Sequence, residues 1–476
     1  MTILAVLIIV ISAGMYYPRA PRVGSDPNWR RDVDRIGIQA GLELAAADHG
    51  EIARWWTGPW VQVNTPRFYR PLTSTWYWVE WTAWGDHWNR WGLMSLLLHA
   101  LLAVMLFLFL STLFRSPSIG LLSAVLFTAP LGDRMVVNRM LGGWWPGQGD
   151  ILAGVFYVAS LLAAVVWLRG QGRGYRILSL VLFLLAIAAK ELAYTLPLML
   201  VAVAVYEGRR KVKEIVGIAW PHFALALAMG VIRTVAVGPG WSVKYGLATS
   251  LCRAGSFLAE PLLHKIVMGD WWPVIAGVAL AGFLAAVIKA PAMRKTWVLL
   301  PLLLLLWGGL AVVAQWAEGA WQEALFPGLR PWANAVALAV FLLLAWLVIA
   351  QKPKEVFLAV AWLLITYAPT AVILGGHYVY FPGIGWAVIN ALVITAALQV
   401  MTEAWPGFRP AARVVIGLVV ALAILSVPLR EMPRLGGRHQ WISAWAGLAL
   451  VSSGLFIMQR TRERRARDGE RMALTP

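Results

Sequence analysis

FYRPLTSTWYWVEW (68–81) sets an arginine, a proline and three tryptophans directly before an apolar run, 93–113, of bilayer-spanning length. An interface explains the aromatic residues, because indole and phenol rings are favoured at headgroup level. It does not explain Arg70 and Glu80, two charges at the edge of a span. Further apolar runs fall at about 2–17, 118–131, 150–168, 176–189, 191–206, 214–232, 273–288, 296–314, 332–350, 356–374, 378–400, 411–428 and 441–458. The chain is 60% hydrophobic and 13% charged, with a mean hydropathy of +0.69. Soluble domains lie nearer one half and one quarter. These figures predict an all-α polytopic membrane protein of about 14 transmembrane helices, within a range of 11–14.

A net charge of +18 would suggest a nucleic-acid partner in a soluble protein. Here the basic residues gather in short loops: RGQGRGYR (169–176), EGRRKVK (207–213), KAPAMRK (289–295) and QKPK (351–354). Those loops alternate with WAEGAWQEALF (316–326) and LGGHY (374–378), which are not basic. Placing basic loops in the cytoplasm puts both termini there, with no nucleic-acid role. The first apolar run lacks a basic n-region and reads as a retained helix rather than a cleaved signal. The single cysteine, Cys252, excludes an intrachain disulfide and a cysteine-based metal site.

This topology gives one membrane domain, 1–458, and a basic cytoplasmic tail, 459–476. The first extracytoplasmic loop, 18–92, holds ten of the 28 tryptophans and reads as folded and partly helical. Val33, Ile36 and Ala40 recur at helical spacing, which predicts a short amphipathic helix with Asp32 and Asp34 at its start. A second irregular outer segment covers 233–272. Four clusters then share the outer side: DVDRIG (32–37); FYRPL (68–72) leading to His99; PLGDRMVVNR (130–139) with PGQGDIL (146–152); and KELAYTLP (190–197). Ionisable groups among apolar helices are costly, so they mark candidate functional positions. As N-terminal helix acids, Asp32 and Asp34 also have a plain structural reading.

In that order the clusters resemble the type C membrane glycosyltransferases, near the protein O-mannosyltransferases and their bacterial relatives. The similar elements are the acidic pair Asp32/Asp34, Tyr69–Leu72, the helix histidine His99, GQGDIL with Asp150, Lys190-Glu191 followed by Pro197, and HYVYFPGIG (377–385). The resemblance implies transfer of a sugar from a polyprenyl-phosphate donor to a glycan, lipid or protein acceptor outside the cytoplasm, at the cell membrane. It makes Asp34 the base candidate, with Asp32 beside it, since a carboxylate can take the acceptor's proton. Arg70, with Tyr69, becomes a phosphate ligand or a brace for the loop. Lys190 and Glu191 are expected to pair with each other. His377, Tyr378 and Tyr380 become candidates for the donor phosphate. Asp133, Asp150 and His99 become candidates for assisting the acceptor or a metal, although His99 also reads as a satisfied core histidine. No cofactor is required by the residues, and a divalent metal stays open.

Three positions depart from the family pattern: Ser95 for an asparagine, Gln148 for an arginine and His377 for an arginine. They bear on donor binding, and a divergent or inactive member stays open. Trp55, Trp56 and Trp60 read as interfacial anchors or as walls of an acceptor cleft. A transporter or lipid-linked sugar flippase is the competing class. It would place polar breaks at mid-membrane, often in repeated halves, whereas this chain shows no repeat and its polar clusters lie at one rim.

Overall fold

The computed structural model describes residues 33–63, 68–128, 145–238, 352–372 and 380–404. The described residues are helical and contain no strand. Two helices form the N-terminal layer, α1 (Val33–Ala47) and α2 (Gly50–Arg54). Next come α3 (Pro71–Trp84), α4 (Trp88–Leu113), α5 (Pro117–Thr128) and, after a 3-10 turn at Trp145–Gly147, α6 (Gln148–Leu168). They are followed by α7 (Arg173–Ala189), a 3-10 turn at Glu191–Thr195, α8 (Leu196–Tyr206) and α9 (Val212–Val237). The last two are α10 (Pro353–Val372) and α11 (Gly383–Ala404).

Among the described residues, three stretches are long and apolar enough to cross a membrane: Trp88–Leu113, Trp145–Leu168 and Val212–Val237. Shorter apolar helices accompany them at Pro117–Thr128, Glu191–Tyr206 and Gly383–Leu392. With the composition, they mark a helical membrane protein. The expected runs 2–17, 273–288, 296–314, 332–350, 411–428 and 441–458 lie outside the described residues. So does the predicted outer segment from 239 onward, and its first residues, 233–237, belong to α9.

Local chemistry sets the helix ends. Pro71 opens α3, where a missing N–H costs nothing, and Gly85 stops it with φ 54°, a conformation open to glycine. Pro117 likewise opens α5. The helices pack as antiparallel neighbours, α4 with α5, α6 with α7, α8 with α9 and α10 with α11, while α4 also meets α6 and α5 meets α11. Small residues let the axes approach: a Cβ on Gly120 of α5 would collide with Ser111 of α4. The core of this bundle holds Phe107, Phe109, Tyr157, Phe183 and Phe381, with Tyr157 and Phe381 edge to face at 4.8 Å.

The turns separate into two ends. At one end Arg169 donates to the Thr112 and Leu113 carbonyls at 2.5 and 2.9 Å and grips Glu207 at 2.6 and 3.1 Å, and Arg209 reaches the Leu168 carbonyl at 3.0 Å. Loose helix-end carbonyls are thereby satisfied by cations, which also suits the helix dipoles. Arg173, Arg210, Lys211 and Lys213 are exposed here. The opposite end carries the starts of α3 and α6 and the close of α7, under a second core. That core is built from Ile38, Leu42, Ala45, Trp55, Trp60, Val61, Tyr77, Trp91 and Trp145.

The helix predicted from Val33, Ile36 and Ala40 exists, but it buries a different face. Ile36 is 45% exposed, whereas Ile38, Leu42 and Ala45 are buried completely. The reason is Gly41, whose bare Cα lets the 61–63 backbone lie against the helix; a Cβ would collide with the Val61 carbonyl oxygen. The Val63 amide donates to the Gly37 carbonyl on the same side at 3.2 Å.

Candidate functional site

The site grows from the junction of α3 with the α7 close. Arg70 precedes α3 with φ −138° and ψ 61°, outside the helical region. Its guanidinium lies over the Trp60 ring at 4.6 Å and the Phe68 ring at 4.1 Å. Between these faces it grips Glu191 with a fork: Nε to both carboxylate oxygens at 3.0 and 2.9 Å, and Nη2 to Oε2 at 2.8 Å. Such planar two-point pairing is what arginine provides and lysine does not. Thr73, one turn along α3, donates to the Ala189 carbonyl at 2.7 Å, one of the acceptors left open as α7 ends.

Lys190 takes an extended conformation at the end of α7, φ −155°, and this turns its side chain and that of Glu191 apart. Lys190 Nζ donates to Asp150 Oδ2 at 2.6 Å, with both side chains buried. Hence the expected Lys190–Glu191 pair is not formed. Adjacent residues in this backbone diverge, and each finds an opposite charge on another element. Lys190 lies within electrostatic reach of Asp150, Arg70 and Glu191 together. Among the described residues, two cations and two carboxylates thus gather in one buried cluster tying α3, α6 and α7. Arg233 of α9 approaches its edge, within electrostatic reach of Tyr194, as do Glu191 and Tyr69.

Asp34 stands in the first turn of α1, half-buried, and accepts from Gln62 Nε2 at 2.9 Å. Its link to the cluster runs along the chain from there. The Val61 amide donates to Ser74 Oγ at 3.0 Å, and Ser74 Oγ donates to the Arg70 carbonyl at 3.0 Å. Tyr69 turns towards the N-terminal layer, its hydroxyl donating to the Trp56 carbonyl at 2.9 Å, and burial raises its pKa. Trp55 and Trp60 are core residues of that layer, not walls of an open cleft. Trp56 is half-exposed and donates to Thr75 Oγ1 at 3.1 Å.

Two of the three departures face each other. Gln148 Nε2 donates to Ser95 Oγ at 3.0 Å and to the Trp91 carbonyl at 2.9 Å. One turn further along α4, His99 Nδ1 lies 2.5 Å from the Tyr380 hydroxyl, beneath the Phe127 ring. The helix histidine and the late tyrosine motif therefore meet, 281 residues apart in sequence. Asp32, Asp133, His377 and Tyr378 lie outside the described residues.

Among the described residues no three His, Cys, Asp or Glu side chains converge. Of the described metal candidates, Asp150 already faces an ammonium group and His99 the Tyr380 hydroxyl. The described residues therefore do not compose a divalent-metal site. Sequence reasoning also passed over Gln62 and Thr73, and it noted Glu80 without giving it a role. An apolar helix pattern gives no reason to single out Thr73 or Gln62. Glu80 carried a signal, being an acid among tryptophans at a membrane edge. No family model, no curated protein and no solved structure matches the chain.

Proposed function

We propose that the protein is an integral-membrane glycosyltransferase that moves a sugar from a polyprenyl-phosphate donor to an acceptor outside the cytoplasm. The observation that carries this reading is the buried Arg70–Glu191 and Lys190–Asp150 cluster, at the bundle end opposite the basic turns. By the positive-inside rule the basic end faces the cytoplasm, so the cluster and Asp34 face outward, and both termini lie in the cytoplasm. A membrane-bound donor presents its phosphate at that rim.

In this scheme Asp34 takes the acceptor's proton as the bond to the anomeric carbon forms and the phosphate leaves. Asp32 is its neighbour in the same motif. Arg70 acts as a brace: its fork is engaged by Glu191, and it fixes the start of α3 on which the Asp34 segment rests. His99 and Tyr380, with His377 and Tyr378, form the donor side. Asp133 takes the acceptor-assisting role, while Asp150 holds Lys190 in place.

Asp34→Asn is expected to leave the protein folded in the membrane and to abolish label transfer from a panel of polyprenyl-phosphate sugars. Asp32→Asn is run beside it. Full transfer by Asp34→Asn removes Asp34 as the base, and absence of transfer from every donor in the wild type removes the enzyme reading. A transporter or flippase reading draws on one observation. Ser160, Ser179 and His222 form a buried polar chain between α6, α7 and α9, with Ser179 Oγ 3.0 Å from His222 Nε2. Movement of lipid-linked sugar across sealed vesicles without a new glycosidic bond would favour it.

A further inference from the structure

The cations at the basic end fall into two sets. Arg169 and Arg209 close helix ends and hold Glu207 and Glu214. Arg173, Arg210, Lys211 and Lys213 are exposed and form no ion pair among the described residues. They gather where α7 and α9 begin, since both helices rise from the basic turns and pack together. Arg176 joins the two starts. Its guanidinium lies over the Trp167 ring of α6 at 4.9 Å and donates to the Gly217 carbonyl of α9 at 3.4 Å. That carbonyl is open because Pro221, four residues on, has no N–H to offer it. Tyr175, next in sequence to Arg176, is 41% exposed, and phenol rings favour headgroup depth.

Each helix start also heads an apolar stripe. Helical spacing puts Ile177, Val181 and Leu184 on the face of Arg173, and Val216, Trp220 and Phe223 on the face of Lys213. All six apolar side chains are exposed, Ile177 by 63% and Trp220 by 57%. At 1.5 Å per residue each stripe runs about 15–17 Å below its cation. That is about half of a 30 Å bilayer core, the depth of one leaflet.

We propose that the starts of α7 and α9 form a docking surface for an anionic phospholipid. Arg173, Arg176 and Lys213 hold its phosphate, and its acyl chains lie on the two stripes. Charge complementarity selects the headgroup. The first turn of α7 has no acid, and the acid in the first turn of α9, Glu214, is already held by Arg209. Arg176, positioned by Trp167 and Gly217, offers a planar fork to phosphate oxygens, and the exposed cations add attraction at the surface. The stripes select a lipid over a free phosphate ion, which would use the cations alone. The surface shares no residue with the Arg70–Glu191 and Lys190–Asp150 cluster, so the inference stands whether or not that cluster transfers a sugar.

Native mass spectrometry of the delipidated full-length protein in detergent tests it, with dioleoyl phosphatidylglycerol titrated against dioleoyl phosphatidylcholine. The wild type is expected to bind the anionic lipid at least about tenfold more tightly, since each near-surface cation is worth about fivefold. The triple variant Arg173→Gln, Arg176→Gln, Lys213→Gln should lose that preference. Arg90→Gln, which removes an exposed cation beside the aromatic layer at the opposite end, should keep it. Glycerol phosphate, a headgroup without chains, should bind far more weakly than the lipid. Equal binding of the two lipids by the wild type overturns the proposal, even if the triple variant does not fold. So does a preference that the triple variant retains, or one that Arg90→Gln loses equally. Glycerol phosphate binding as tightly as the lipid would reduce the surface to an anion site and overturn the docking of chains. A lipid-free dimer that the triple variant dissociates would give the surface to a second copy and overturn it too.

Discussion

At the scale of single residues, the cluster sets four charges of the described residues away from water. Breaking one buried pair leaves an unmatched charge and typically costs about 3–5 kcal/mol, whereas replacing both partners by apolar groups is often neutral. Lys190→Met alone should therefore lower the unfolding temperature sharply in detergent. Lys190→Met combined with Asp150→Leu should recover most of it, measured as a double-mutant cycle. An additive double variant would mean that the pair is not the unit we describe. The four residues were legible as important, because charges next to apolar runs are rare. Their pairing was not, for Arg70 and Glu191 are 121 residues apart, and only the backbone turn at Lys190 separates neighbours that sequence alone would join. Likewise Ser95 and Gln148 read as two separate departures, yet they are two ends of one hydrogen bond.

At the scale of elements, helices were easier to read than the faces they bury. Leucine-rich runs placed α4, α6 and α9 within a few residues. For α1 the period was right and the face was wrong, because a glycine with no side chain to count was the point of contact. Gly41→Ala puts a Cβ against the Val61 carbonyl oxygen, and overpacking of this kind costs about 1–3 kcal/mol. Faster proteolysis within 33–63, with α4 to α6 still protected, is the expected outcome. Buried Glu80 of α3 adds a pH dependence. A carboxyl whose native pKa is raised holds its proton in the folded chain after the unfolded chain has lost it. Stability should therefore fall as pH rises from the ordinary carboxyl range to the raised native one, and stay level beyond it. Glu80→Gln should flatten this contribution in thermal unfolding measured across pH.

At the scale of the whole molecule, apolar surface is shared between core and surroundings. The helix α9 keeps a bare stripe: Leu227 is 71% and Val235 83% exposed, beside Trp220, Phe223 and Val231. In water such a stripe would drive aggregation, and in a bilayer it meets lipid. Leu227→Asp, near the middle of this 26-residue helix, should impair membrane insertion by about 2.5–3.5 kcal/mol, read in an insertion assay. The separation of basic turns from the buried cluster was legible from loop charges. The aromatic layer was legible only as a tryptophan count, since its packing joins segments that neither period nor composition connects.

The Arg70–Glu191 fork also has a consequence in time. Arg70 leaves the ribosome 121 residues ahead of its partner, about 6–24 s at ordinary rates of synthesis. During that interval the guanidinium can lie against its own tryptophan and phenylalanine, but it lacks the fork to Glu191. The junction can close only after the α6–α7 hairpin has entered the membrane and Glu191 has followed. A nascent chain stalled before residue 191 would therefore lack the carboxylate that closes this junction, a mark by which an unfinished protein differs chemically from a finished one.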